Sequence, residues 1–426
     1  MICWIAWGSD GCVARKKRSL NNMIGNNFIL REPLLDPKQK VIGFEFSWQQ
    51  IDGRESGSDE LNYLLGFVAG HLNDETQGYL LGDSLIFIEA APDLLLAESL
   101  EQFPANKTVL ILHKKYFADQ TTLETVKALR SRGFGICLRG AEVTTLERSF
   151  FAHVSHIEVK LNAANFASQA KVYAALKQSS VKMVARNVST WQDFDACSAL
   201  GLDSFVGKLH LTPRQSSTPK ALNSSQTTIL QLMEMVRKNA DVQQLELVVK
   251  RDATLAYKLL RYINSAGFGL RTEIQSLKHA VQMLGYSPLY RWLTVLLATA
   301  STSGYSPVLL ETAIVRGRLA ELLGLMKMSK SEAENLFVAG MFSLLDRLLG
   351  LPMEEILASI QLPEIVTEAL ISRGGTYGSY LALAEACELN SMLVRSLSEG
   401  LKISAEDVNS AHLSALVWAK NVATAA

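Results

Sequence analysis

Residues 250–285 read KRDATLAYKLLRYINSAGFGLRTEIQSLKHAVQMLG, and their pattern decides the architecture of the second half of the chain. Asp252 stands where a helix N-cap belongs, and Leu255, Leu259, Tyr262 and Ile263 follow at spacings that put them on one helical face. Asn264, Ser265, Gly267 and Gly269 then cluster where the chain must reverse. Ser276 can cap a second helix, and Gly285 is placed to end it.

Helical periodicity continues on both sides. Ile229, Leu232, Met233 and Val236 follow the i, i+3, i+4, i+7 rule, and Leu245, Val248 and Val249 extend it. Ser287 followed by Pro288 predicts the N-cap and first residue of a further helix through Trp292 and Leu296. Pro352 and Pro363 each precede an acidic first turn, as helix N-termini prefer. The apolar run Leu336–Leu349 carries Asp346 and Arg347 and is too short to cross a bilayer, so it predicts one buried helix.

The Arg-Asp-Ala-Thr-Leu opening, the Asn264-Ser265-Ala266 turn and the run from Ala280 to Gly285 together resemble the HDOD domain. That resemblance implies an all-helical bacterial signalling module, related to HD-type metal phosphohydrolases but without their metal ligands. The HDOD motif positions are Asp252, Asn264, Ser265 and Gly285. Where the hydrolases carry a neighbouring His-Asp pair, VAGMFSLLDRLLG has Ser343 and Leu344, with Asp346 expected as a solvated or capping residue. The segment from Glu334 to Leu389 resembles the tail that follows HDOD in fused proteins.

From Phe28 to Pro213 the pattern changes. Thr108–Leu112, Gly135–Leu138, Ile157–Leu161 and Val181–Ala185 are short, branched and apolar, and amphipathic stretches such as Thr121–Ser131 and Ala170–Gln178 separate them. Alternating strands and helices imply a parallel sheet or barrel, with function at the C-terminal strand ends. ILREPLLDPKQKVIGFEFSW at residues 29–48, with RGFGICLRG, HIEVKLNAANF and VKMVARNVST after it, resembles the EAL domain. The fold class expected is therefore α/β plus all-α: a TIM-like EAL barrel over 28–213, a Pro- and Ser-rich linker over 214–225, and a helical HDOD domain over 226–426.

The EAL resemblance implies hydrolysis of cyclic di-GMP by two metal ions, which need several converging oxygen ligands. This chain departs from that set. Glu45 matches the signature Glu and Lys160 the family Lys, so these two positions are vestigial. Gln49 stands where a phosphate-binding Arg belongs, Glu89 where an Asn ligand does, and Ile111 where a Glu does. Arg139 and Gly140 fall in the counterpart of an Asp-Asp-Phe-Gly ligand segment, Asn162 replaces an Asp, Arg186 and Ser189 replace two acids, and Val206 replaces a Gln. An arginine at a ligand position repels the ion and cannot be neutralised by deprotonation. No catalytic set, metal or cofactor is expected. Glu45 and Lys160 would form a surface or buried ion pair.

Two alternatives stay open. One is an inactive cyclic di-GMP receptor using Arg139 and Arg186 as phosphate contacts; the other is an active phosphodiesterase. The leading expectation is a regulatory protein whose helical domain meets a protein partner in a two-component or second-messenger circuit.

Lys plus Arg and Asp plus Glu are both 42, which argues against nucleic-acid binding by bulk charge. The five scattered cysteines suggest a reduced, cytoplasmic protein with neither disulfides nor a zinc site. The basic run at Arg15–Arg18 follows the apolar stretch instead of preceding it, unlike a signal peptide, and because the run is short and isolated residues 1–27 are expected to be a disordered leader or a misassigned start, with translation beginning at Met23. The literal Glu368-Ala369-Leu370 lies in a helical pattern and is no signature.

Overall fold

In a computed structural model the described residues are 26–49, 56–74, 78–141, 148–160, 166–211, 222–249, 252–264, 274, 276–300, 307–360 and 362–423. Residues 1–25 of the leader, most of the linker, Ser265 and Asn162 lie outside them.

Eight strands close into a barrel: β1 (Ile29–Leu35), β2 (Val41–Trp48), β3 (Leu85–Glu89), β4 (Thr108–His113), β5 (Gly135–Arg139), β6 (His156–Val159), β7 (Lys182–Arg186) and β8 (Ser204–Val206). β1 runs antiparallel to both its neighbours, β2 and β8, and the remaining pairs are parallel. The period of two along each strand sorts the side chains. Leu34, Phe87, Val109, Ile111, Cys137, Val184 and Val206 form an apolar cluster of their own inside the barrel. Outward-facing residues join a larger core with the surrounding helices.

Crossover helices α1 (Ser58–Leu72), α2 (Gln120–Ser131), α3 (Phe166–Leu176) and α4 (Trp191–Ala199) cover part of the outer wall. The β1–β2 connection is a hairpin, so no crossover helix comes with it to cover that face.

The helical half begins at α5 (Ser224–Arg237), where Asn223 and Gln226 form a reciprocal capping box. It continues through α6 (Val242–Val249), α7 (Ala253–Ile263), α8 (Leu277–Leu284), α9 (Tyr286–Thr299), α10 (Pro307–Leu325), α11 (Lys330–Phe342), α12 (Leu345–Leu349), α13 (Met353–Ser359), α14 (Glu364–Ser372), α15 (Gly375–Leu389), α16 (Leu393–Leu401) and α17 (Ala405–Ala423). Asp252 caps α7 by accepting from the Leu255 N–H at 3.0 Å. Leu255, Leu259 and Ile263 are buried. Asn264 clasps the far side of its turn: its amide accepts from the Ile274 N–H at 2.7 Å and donates to the Ile274 carbonyl at 2.8 Å. Gly285, at φ +82°, ends α8.

Two helix expectations need correction. α9 opens at Tyr286 directly after Gly285, so Ser287 and Pro288 lie inside its first turn; the Ser287 hydroxyl donates to Glu334 instead of capping. The run from Leu336 to Leu349 is two helices, broken where the Ser343 hydroxyl donates to the Gly340 carbonyl. α10 and α11 cross closely at glycines: a Cβ on Gly340 would lie 2.6 Å from the Gly317 Cα.

The two halves share a packed interface. α15 and α17 lie over the β1–β2 hairpin and α1. The Asn409 side chain accepts from the Ile29 N–H and donates to the Asn27 carbonyl, both at 2.8 Å. His71 Nε2 and the Ser410 hydroxyl lie 3.0 Å apart. Among the described residues no helix is long and apolar enough to cross a membrane.

Candidate functional site at the barrel mouth

The inward positions above the apolar plug carry charge. Glu32 on β1 pairs in register with Glu45 on β2, Glu89 ends β3, Arg139 ends β5, Glu158 lies on β6, and Arg186 ends β7. These six converge. Arg139 Nη2 donates to Glu45 Oε1 and its Nε to Glu158 Oε2, both at 2.7 Å, while Nη1 reaches Glu89 at 3.4 Å. Arg186 also donates to Glu45 Oε1, and it lies 3.6 Å from Glu32 and 3.8 Å from Glu158. Two guanidiniums thus fill the space among four carboxylates.

The electrostatics follow from that packing. Burial opposes the Arg139 charge, but Glu45 and Glu158 outweigh it and hold its pKa above the ordinary guanidinium value. Burial raises the Glu32 carboxyl above its usual range, and Arg186 only partly offsets this. Divalent ions need those carboxylate oxygens, and the arginines already engage them. The donor set therefore does not fit a two-metal centre. Among the described residues no group of three or more His, Cys, Asp or Glu is arranged to hold a metal ion.

One sequence expectation is corrected here. Glu45 is 3 % exposed, and its partners are Arg139 and Arg186; Lys160 sits exposed just beyond β6. Lys160 instead lines a cavity of about 220 Å³ beside Arg186, with Asn187 and Asp193. Ile111 and Val206 belong to the apolar plug, Ser189 is exposed, and Gly140 has φ +72°. A Cβ on Gly140 would meet the His113 ring at 2.3 Å. Sequence reasoning missed Glu32 and Glu158 and did not foresee Glu89 as a partner. The signal was available: Glu158 alternates with the apolar Ile157 and Val159 along a strand, which puts its carboxylate on the opposite, inward face.

Gln49 has turned outward to the helical half. Its amide donates to the Ala386 and Cys387 carbonyls at 3.4 and 3.2 Å, and Lys208 donates to the Leu389 carbonyl. Gln49 and Lys208 thus hold the C-terminal end of α15.

A separate buried arginine, Arg316 on α10, gathers polar partners within the helical half. Arg316 donates to Ser343 Oγ at 2.8 Å, to Glu388 at 2.7 Å and to Glu385 at 3.1 Å. Asp346 caps no helix through its Oδ1, which is buried without a hydrogen-bond partner among the described residues, and its charge adds to the field on Arg316.

Residues 222–353 match the HDOD domain family. The helical region continues past that match to Ala423. The chain is 23 % identical over 415 residues to the uncharacterised protein YuxH of Bacillus subtilis (strain 168), covering 93 % of this chain and 98 % of that one. It is also 23 % identical over 393 residues to the cyclic di-GMP phosphodiesterase CdgJ of Vibrio cholerae, covering 90 % of each. Among solved structures, the EAL domain of Mycobacterium smegmatis DcpA aligns with 42 % of this chain and 90 % of its own, at 13 % identity and a TM-score of 0.36.

Proposed function

We propose that this chain, with an HDOD domain at residues 222–353 behind an eight-stranded barrel, is a non-catalytic regulator in cyclic di-GMP signalling that acts through protein contacts of its helical half. The observation that carries this reading is the Arg139–Arg186 pair, which neutralises Glu32, Glu45, Glu89 and Glu158 from within. Cyclic di-GMP enters through the relative CdgJ, which spans nearly the whole chain. The barrel is then a scaffold, gripped by α15 and α17, that fixes how the helical half is presented.

A receptor role would require Arg139 or Arg186 to exchange carboxylate partners for phosphate. The cavity beside Arg186, at about 220 Å³, is smaller than the roughly 300–1,000 Å³ of ordinary ligand pockets. That reading has less support.

Incubating the full chain with cyclic di-GMP and millimolar magnesium or manganese tests the proposal. The expected outcome is no linear dinucleotide product and no metal-dependent heat in calorimetric titration. Metal-dependent turnover that Glu45→Ala abolishes would sink it.

A further inference from the structure

A cleft of about 240 Å³ opens on the helical half among α5, α9, α11 and α14, away from the barrel mouth. Val236, Val338 and Val366 line it and are almost inaccessible to water, so it offers an apolar seat. An empty cavity of about 150 Å³ takes a benzene ring, and this one has room for a ring and a small polar head.

Its polar groups are unevenly satisfied. Tyr286 donates its hydroxyl to the Ala240 carbonyl at 2.8 Å, and the Ser287 hydroxyl is committed to Glu334. The half-buried Tyr290 hydroxyl and the Asn335 amide also line the cleft, and neither has a hydrogen-bond partner among the described residues. Both groups reach solvent, so a ligand's oxygens can take the place of the water on them. Burial pushes the Tyr290 phenol up to about 12, and the Arg237 side chain lines the same cleft.

We propose that this cleft binds a small apolar-tailed carboxylate, its tail against Val236, Val338 and Val366, its oxygens accepting from Tyr290 and Asn335, and its charge balanced by Arg237. A neutral apolar ligand would leave the phenol and the amide unpaired, and a cation would face Arg237. The same chemistry has two sources, a free aromatic or branched acid and the C-terminal residue of a partner chain. The inference goes beyond the regulatory reading and holds whether or not the barrel turns over a nucleotide.

Calorimetric titration of the full chain with phenylacetate, benzyl alcohol and phenethylamine tests it, alongside a pentapeptide ending in Phe as free acid and as amide. Saturable binding of at least one carboxylate is expected, about tenfold tighter than its neutral counterpart. Arg237→Gln, at an exposed position, is expected to weaken it about tenfold, and Tyr290→Phe several-fold, with the melting temperature as a control on folding. Preference for the free acid or for the peptide identifies the source. No saturable carboxylate binding, equal binding of acid and alcohol, or unchanged binding in Arg237→Gln overturns the proposal.

Discussion

Arg139 shows how one side chain decides what a barrel mouth can do. Its three nitrogens each engage a different carboxylate, and its side chain is 18 % exposed. Removing one member of such a buried cluster costs more than forming it contributes, because the remaining charges are left uncompensated. Arg139→Ala is expected to destabilise the chain by about 3–5 kcal/mol in urea denaturation at neutral pH. A loss below about 1 kcal/mol would mean that the carboxylates find water instead. His412 acts through protonation. Fully buried beside Arg31, whose Nε lies 3.5 Å from its Nε2, it has a pKa depressed by burial to about 3. The unfolded chain takes up that proton first, so stability falls as pH drops from about 6.5 toward 3, by up to about 1.4 kcal/mol per unit. Urea midpoints at pH 7, 6 and 5 should fall more steeply for the wild-type chain than for His412→Gln; equal slopes would show that His412 is protonated without penalty.

At the scale of elements, the β1–β2 hairpin and α17 depend on each other. Asn409 satisfies an N–H and a carbonyl at the start of β1, and Lys420 lies over the Phe44 ring at 4.9 Å. Asn409→Ala leaves the Ile29 N–H and the Asn27 carbonyl without that partner, a loss of about 1–3 kcal/mol. Hydrogen exchange at Ile29 should accelerate, and unchanged protection there would show that water replaces the amide. Much of the local structure was legible in the sequence. The strands at Thr108, Gly135, Ile157 and Val181 lie within a residue of their expected starts, and Asp252 caps where its spacing placed it. What stayed hidden depended on partners distant in sequence. Glu45 and Lys160 carry no mark of which one turns toward Arg139, and no local signal says that Gln49 will hold a helix hundreds of residues later. Register could assign Glu158 to the inward face, and the β5–β6 pairing sets it beside Arg139, but only closure of the barrel brings Glu45 to the same guanidinium.

Across the whole molecule, the barrel and the helical half pack directly against each other. Arg31 and Glu32 are neighbours on β1, yet Glu32 faces Arg186 in the barrel while Arg31 lies in the field of Glu388 and Glu311 from the helical half. With Arg31 also donating to His412 on α17, one strand carries polar contacts to both halves. Unfolding should be a single transition, with the barrel residues Trp48 and Trp191 and the helical residues Trp292 and Trp418 losing their environments together in single-tryptophan variants. Two separated midpoints would show that the halves fold independently. The bond between Ile29 and Asn409 also sets a clock on synthesis. At about 5–20 residues per second, roughly 20–75 seconds separate the emergence of the first barrel strand from that of the helix that seals it. The barrel itself can close only once β8 has emerged, and from then until α17 arrives one of its walls is bare, exposing the nascent chain to aggregation and to chaperone capture.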